Sequence, residues 1–207
     1  MVTPICTILG GPNGSGKSSL YRVIEPPGEF VNADVVARSI DPVAPEAVSL
    51  AAGRAVIERL NELVEARRNF VYETTLSSHQ AISLMRRTRK AGFQVALVFV
   101  ALDSADLNVA RVGDRVRKGG HAIPETVVRR RYDIALARLT QAIPLAHETA
   151  VFDNSEAMTR LLLRIAGDAI EENHLDMGKG LHVRIAIAVA HAIGIEVDAV
   201  FRAGRFD

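Results

Sequence analysis

"ILGGPNGSGKSSL", residues 8–20, opens on apolar side chains, passes glycines at 11, 14 and 16, and ends on Lys-Ser-Ser. Glycine inside a regular element forfeits conformational entropy, so this spacing makes sense where the backbone takes positive φ or approaches a ligand closely. From Gly11 to Ser18 the residues match G-x-x-x-x-G-K-[ST], the Walker A loop, whose successive backbone N–H groups form a concave anion site completed by a helix N-terminus. Gly11, Asn13, Gly14, Ser15, Gly16, Lys17, Ser18 and Ser19 are therefore the expected ATP-binding positions. Lys17 is expected to reach the β- and γ-phosphates and Ser18 to ligate Mg²⁺. The apolar run over residues 5–9 supplies the buried strand that precedes such a loop.

The remainder of the chain fits this start. Its 207 residues suit one domain with room for an appendage, and 48% hydrophobic content with mixed charge reads as a soluble globular protein. A formal net charge of +1 gives no bulk argument for nucleic acid or an anionic membrane. The single cysteine, Cys6, rules out an intrachain disulfide and falls in the expected first strand, where a buried inert thiol is the simplest reading. The apolar stretch 185–195 is too short to span a bilayer, and the start of the chain enters a strand without a basic leader, so a cytoplasmic protein is expected.

Strand and helix patterns alternate along the chain. A helix over 19–24 is stopped by Pro26-Pro27-Gly28, and "EFVNADVVA" reads as a short strand ending at 32–34. A helical pattern over 47–67 precedes the strand "NFVYETTLSS". A helix over 79–91 ends at Gly92, and "FQVALVFVAL" has the near-continuous apolar character of a strand buried on both faces. Helices over 104–118 and 124–143 flank Gly119-Gly120-His121, and "TAVFDNS" is the last strand. This order implies a doubly wound α/β fold with a mainly parallel sheet and ligands at the carboxyl ends of its strands. Residues 156–207 read as a helical extension packed on the core, with helices over 156–172 and 181–194; dimer contact and nucleotide cover are the alternatives. His174, His182 and His191 are too irregularly spaced for a metal site and read as exposed or capping.

Asp34, Glu73, Asp103 and Asp153-Asn154 all follow expected strands. Asp34 suits a general base taking a proton from an acceptor hydroxyl, with a helix N-cap as its alternative. Glu73, followed by Thr74, suits a substrate hydroxyl or the outer shell of a metal. Asp103 reads first as a helix cap and second as a metal-side aspartate. Between 111 and 131 stand seven basic residues against two acidic ones. Arg111, Arg115 and Lys118 form one helical stripe and Val109, Val112 and Val116 another. On the next helix Val128, Tyr132, Ala135, Leu139 and Ile143 form the apolar stripe, flanked by Arg129 and Arg131. Two basic helices around Gly119-Gly120 suggest a movable lid at about 104–143 whose guanidiniums clamp transferring phosphates. Sparse aromatics argue against a nucleic-acid face.

Taken in order, "GGPNGSGKSSL", "FVNADVVA", "FVYETTLSS", "RVGDRVRKGGHAIPETVVRRRY" and "VFDNS" resemble the small bacterial members of the zeta toxin family of P-loop kinases, over roughly residues 5–155. The resemblance implies an adenylate-kinase-like core, with the lid, that uses ATP and Mg²⁺ to phosphorylate a hydroxyl, in studied zeta toxins the 3′-hydroxyl of UDP-N-acetylglucosamine. By motif, Asp34 matches the family's base, Glu73 with Thr74 its substrate-binding position, and Lys17 and Ser18 its phosphate and metal residues. The lid arginines are narrowed to Arg115 or Arg117, and to one of Arg129, Arg130 and Arg131, with Arg115 and Arg131 favoured. Asn154 is implied to lie near the adenine, His121 sits in the lid turn, and an antitoxin protein is the implied partner. A housekeeping nucleoside or metabolite kinase and an ATP-gated binding module are the competing readings.

Overall fold

Strand β1 (Ile5–Gly10) is buried from Cys6 onward and pairs in parallel with β3 (Phe70–Thr74) on one side and β4 (Gln94–Ala101) on the other. The computed structural model describes residues 2–45, 47–120 and 122–204. With β2 (Glu29–Asn32), β5 (Glu148–Asp153), β6 (Arg160–Ala166) and β7 (Ala169–Asn173), the sheet runs β2-β3-β1-β4-β5-β6-β7. The first five strands in that order are parallel, and β6 and β7 join antiparallel at the β5 edge. Parallel strands covered on both faces become apolar throughout, as in β4, where Val95, Leu97, Phe99 and Val100 are all buried.

The helices follow as α1 (Lys17–Ile24), α2 (Ala33–Ile40), α3 (Ser49–Glu65), α4 (His79–Lys90), α5 (Ala105–Arg117), α6 (Glu125–Ala142), α7 (Gly180–Ile193) and α8 (Val197–Arg202). The expected stripe of α6 is buried at Val128, Tyr132, Ala135 and Leu139, whereas Val116 of α5 is more than a third exposed. Cys6 is buried in β1, and burial pushes its thiol pKa up to about 12, leaving it inert. No described helix is long and apolar enough to cross a membrane. His121 lies outside the described residues.

The C-terminal region corrects one expectation. Residues 156–172 do not form a helix; Arg160–Ala166 and Ala169–Asn173 form the β6–β7 hairpin, turning at Gly167 with φ +57. A run such as "LLLRIA" satisfies a buried strand as well as a helix face, and the adjoining Gly-Asp pair is a hairpin signal. Pairing with β5, from Glu148↔Ala166 to Asp153↔Arg160, decides in favour of the strand. Leu162, Leu163, Ile165, Leu181, Ile185 and Val189 belong to one buried cluster with β1, β3 and β4 residues. Asn173 ties the end down, its Nδ2 donating to Val200 O at 2.6 Å and Ala203 O at 2.8 Å. His182 is buried, not exposed.

Candidate active site

The loop between β1 and α1 takes the backbone that its glycines allow. Gly11, Gly14 and Gly16 have φ of +143, +77 and +95. A Cβ on Gly11 would collide with Val100 O of β4, and one on Gly16 with the Asn154 side-chain amide. Gly16 is also the left-handed N-cap of α1, so the first N–H groups of that helix open toward the loop. Lys17, the first residue of α1, is buried and donates to Gly11 O at 2.7 Å and Pro12 O at 3.0 Å. Burial lowers its pKa, while Glu73 and Asp34 oppose the shift and Arg115 and Arg131 add to it. These four side chains thus share one electrostatic neighbourhood with Lys17.

Ser18 faces β3, and its Oγ donates to Glu73 Oε2 at 2.9 Å. Parallel pairing puts Glu73 opposite Leu9, just before the loop, which brings a residue 55 positions away beside the hydroxyl. Thr74, by contrast, is buried and its hydroxyl accepts the Leu76 N–H at 3.2 Å, so the structure assigns it to the turn after β3.

Asp34 is the second residue of α2 and lies on the wall of an open cleft of about 1050 Å³. The capping alternative is excluded because Asn32 caps α2, its Oδ1 accepting from Asp34 N at 2.7 Å and Val35 N at 3.1 Å. Gly14, Gly16, Ser19, Asn154, Arg111 and Arg115 line the same cleft. Asp103 caps nothing: Ser104 caps α5 through Leu107 N at 3.2 Å, and the carboxylate beside Ser18 is Glu73.

The arginines sort by partner. Arg117 pairs with Asp114, and Arg129 with Glu125 at 2.7 Å and Asp106 at 2.5 Å, and neither arginine lines the cleft. Arg115 lines the cleft, and half-buried Arg131 donates from Nη1 to Asn13 Oδ1 at 3.1 Å. Burial, then Arg130, lowers the pKa of Arg131, and Asp34 counters them. Sequence reasoning missed Asn108, a fully buried residue of α5 whose Nδ2 donates to Asn13 O at 2.5 Å. Its one signal was a polar residue four positions before buried Val112. Asn13 is thus held from both α5 and α6. Asn154 Nδ2 donates to Ser15 O at 2.9 Å, drawing the end of β5 against the loop.

The sequence profile described as Zeta toxin matches residues 2–162. An uncharacterized protein of Haemophilus influenzae is 34% identical over 123 residues, 59% of this chain and 88% of that protein. Among solved structures, AvrRxo1-ORF1:-ORF2 with ATP superposes with a TM-score of 0.64 at 17% identity, over 80% of this chain and 59% of that one. The PezAT chromosomal toxin-antitoxin system of Streptococcus pneumoniae gives 0.59 at 15% identity, over 74% and 69%. At such identities the likeness concerns the fold, and this chain spans about three fifths of the first structure.

Proposed function

We propose, because the chain belongs to the Zeta toxin family, a specific division of labour for a protein that is an ATP-dependent phosphotransferase of P-loop kinase fold. The γ-phosphate passes to the hydroxyl of a small molecule, with UDP-N-acetylglucosamine as the first acceptor to test. The observation that supports this most is the hydrogen bond from Ser18 to Glu73 beside Lys17, with Asp34 on the cleft wall. A hydroxyl and a carboxylate are the hard oxygen donors that suit Mg²⁺. Among the described residues no group of three His, Cys, Asp or Glu side chains can hold a metal alone, so Ser18 and, outside it, Glu73 would hold the ion together with nucleotide phosphates. When bound, Mg²⁺ neutralises charge on the β- and γ-phosphate oxygens.

The chain's own residues do the rest. The loop N–H groups and Lys17 hold the phosphates. Asp34 accepts the acceptor's hydroxyl proton as that oxygen bonds to the γ-phosphorus and the bond to ADP breaks. Arg115, on the cleft wall, and Arg131, held on Asn13 of the loop, supply positive charge to the transferring group through the planar fork of the guanidinium. Glu73 positions Ser18 and the acceptor, and Asn154 borders the nucleotide. Helices α5 and α6 act as the lid, over a core that takes in the C-terminal region as well. An antitoxin protein that blocks the cleft completes the reading, supported by the toxin-antitoxin system among the structural neighbours.

The test is incubation with γ-labelled ATP, Mg²⁺ and a panel of sugar nucleotides, nucleosides and nucleotides, with Asp34→Ala as control. Asp34-dependent label on UDP-N-acetylglucosamine supports the full reading. Label on another acceptor replaces that substrate, and label on none overturns the assigned roles.

A further inference from the structure

Helix α7 lies beyond the residues matched by the family profile, yet it reaches the back of the site. In its first turn His182 is 3% exposed. Its Nδ1 accepts the Asp176 N–H at 2.9 Å, so the ring carries its proton on Nε2. That nitrogen has no hydrogen-bond partner and faces Asp153 Oδ2 at 3.5 Å. The other oxygen, Oδ1, accepts the Ser155 N–H at 2.9 Å and the Ser155 hydroxyl. Between them Asn154 donates to Ser15 O of the phosphate loop and accepts at Oδ1 from the Thr159 hydroxyl at 2.6 Å. Ser155 Oγ accepts the Asp103 N–H at 2.7 Å, and its carbonyl accepts from Arg111 of α5 at 3.3 Å.

A buried imidazole N–H without a hydrogen bond is costly, and a polar network packed round it is ordered by the attraction it still exerts on the facing carboxylate. Here the ordered object is the short turn 153–155, which contacts both the phosphate loop and the lid helix. We infer that His182 is a positioning residue for the nucleotide: it sets Asp153, and through it the Asn154–Ser155 turn against Ser15. The inference rests on the reading of the loop as an ATP site, and it gives the C-terminal region a role in that site.

Calorimetric titration of ATP into the purified full chain tests it without an acceptor. His182→Leu weakens ATP binding about three- to tenfold, the scale of one lost polar contact, and His182→Gln, whose amide nitrogen can face Asp153 as Nε2 does, recovers most of that loss. In an Asn154→Ala background the His182→Leu change has no further effect, because both act through one contact. Full ATP affinity in a folded His182→Leu protein, an equal loss in the Asn154→Ala background, or a Gln variant no better than Leu overturns the inference. If His182→Leu does not fold, Asp153→Asn must weaken ATP binding, and unchanged affinity there overturns it equally. Failure of the unaltered chain to bind ATP would overturn the site reading and this inference together, whereas binding indifferent to His182 overturns this inference alone.

Discussion

Asn32 and Asp34 stand two residues apart and divide two tasks that one carboxylate cannot perform together. Asn32 satisfies the orphan N–H groups of α2, which leaves the Asp34 carboxylate facing the cleft. Asp34→Asn is therefore expected to lower phosphate transfer by about 10²–10⁴-fold, the usual weight of a general base. ATP affinity measured by calorimetry stays near that of the parent, and undiminished turnover would remove Asp34 from the chemistry. Asn32→Ala instead costs about 1 kcal/mol of stability, read in a denaturant melt. Lys17 makes a prediction in pH. Its pKa lies below the ordinary 10.5 in the folded state because burial disfavours the charge, so the unfolded chain binds more protons over that window. Folding stability attributable to Lys17 then rises with pH from the lowered value up to 10.5. Melts of the parent and of Lys17→Met at increasing alkaline pH should show the difference moving in the parent's favour. Most of these residues were legible in the sequence, because the phosphate loop is contiguous and Asp34 and Glu73 sit at strand ends. Asn108 and His182 were not: each acquires meaning from a contact distant in sequence, with Asn13 at a separation of 95 for Asn108.

The two basic helices show what an element adds. Spacing alone could not separate Arg115 from Arg117, or Arg131 from its neighbours, since each pair lies within one turn of the same helix. Arg117 pairs with α5's own Asp114 and does not itself line the cleft, and Arg129 is held by Asp106 and Glu125. Arg131→Lys should reduce turnover by at least about tenfold, because an ammonium lacks the planar fork that spans phosphate oxygens. Arg129→Lys should leave turnover within about twofold, since exposed ion pairs contribute little. Equal effects of the two substitutions would refute the sorting. The hairpin is the element that sequence periodicity missed. Its strands owe their form to β5, a partner that local pattern does not contain, whereas α6, whose stripe recurs every three or four residues, was read correctly from pattern alone.

At the scale of the molecule, the parallel core and the C-terminal region are one body. The buried cluster includes Leu162, Leu163, Ile165, Leu175, Leu181, Ile185 and Val189 together with Ile8, Phe70 and Leu97. Each such side chain contributes about 1.5–3 kcal/mol when fully buried, and the whole fold is stable by only about 5–15 kcal/mol. Ending the chain after Ser155 should therefore give an unfolded or aggregated product, checked by circular dichroism and solubility; a folded, active fragment would contradict the single-core description. Point substitutions, rather than deletion, are therefore the proper probe of this region. The tie from Asn173 to Val200 and Ala203 carries a consequence for synthesis. Strand β7 cannot be held in this way until Val200 and Ala203, 27 and 30 residues further along, have been made.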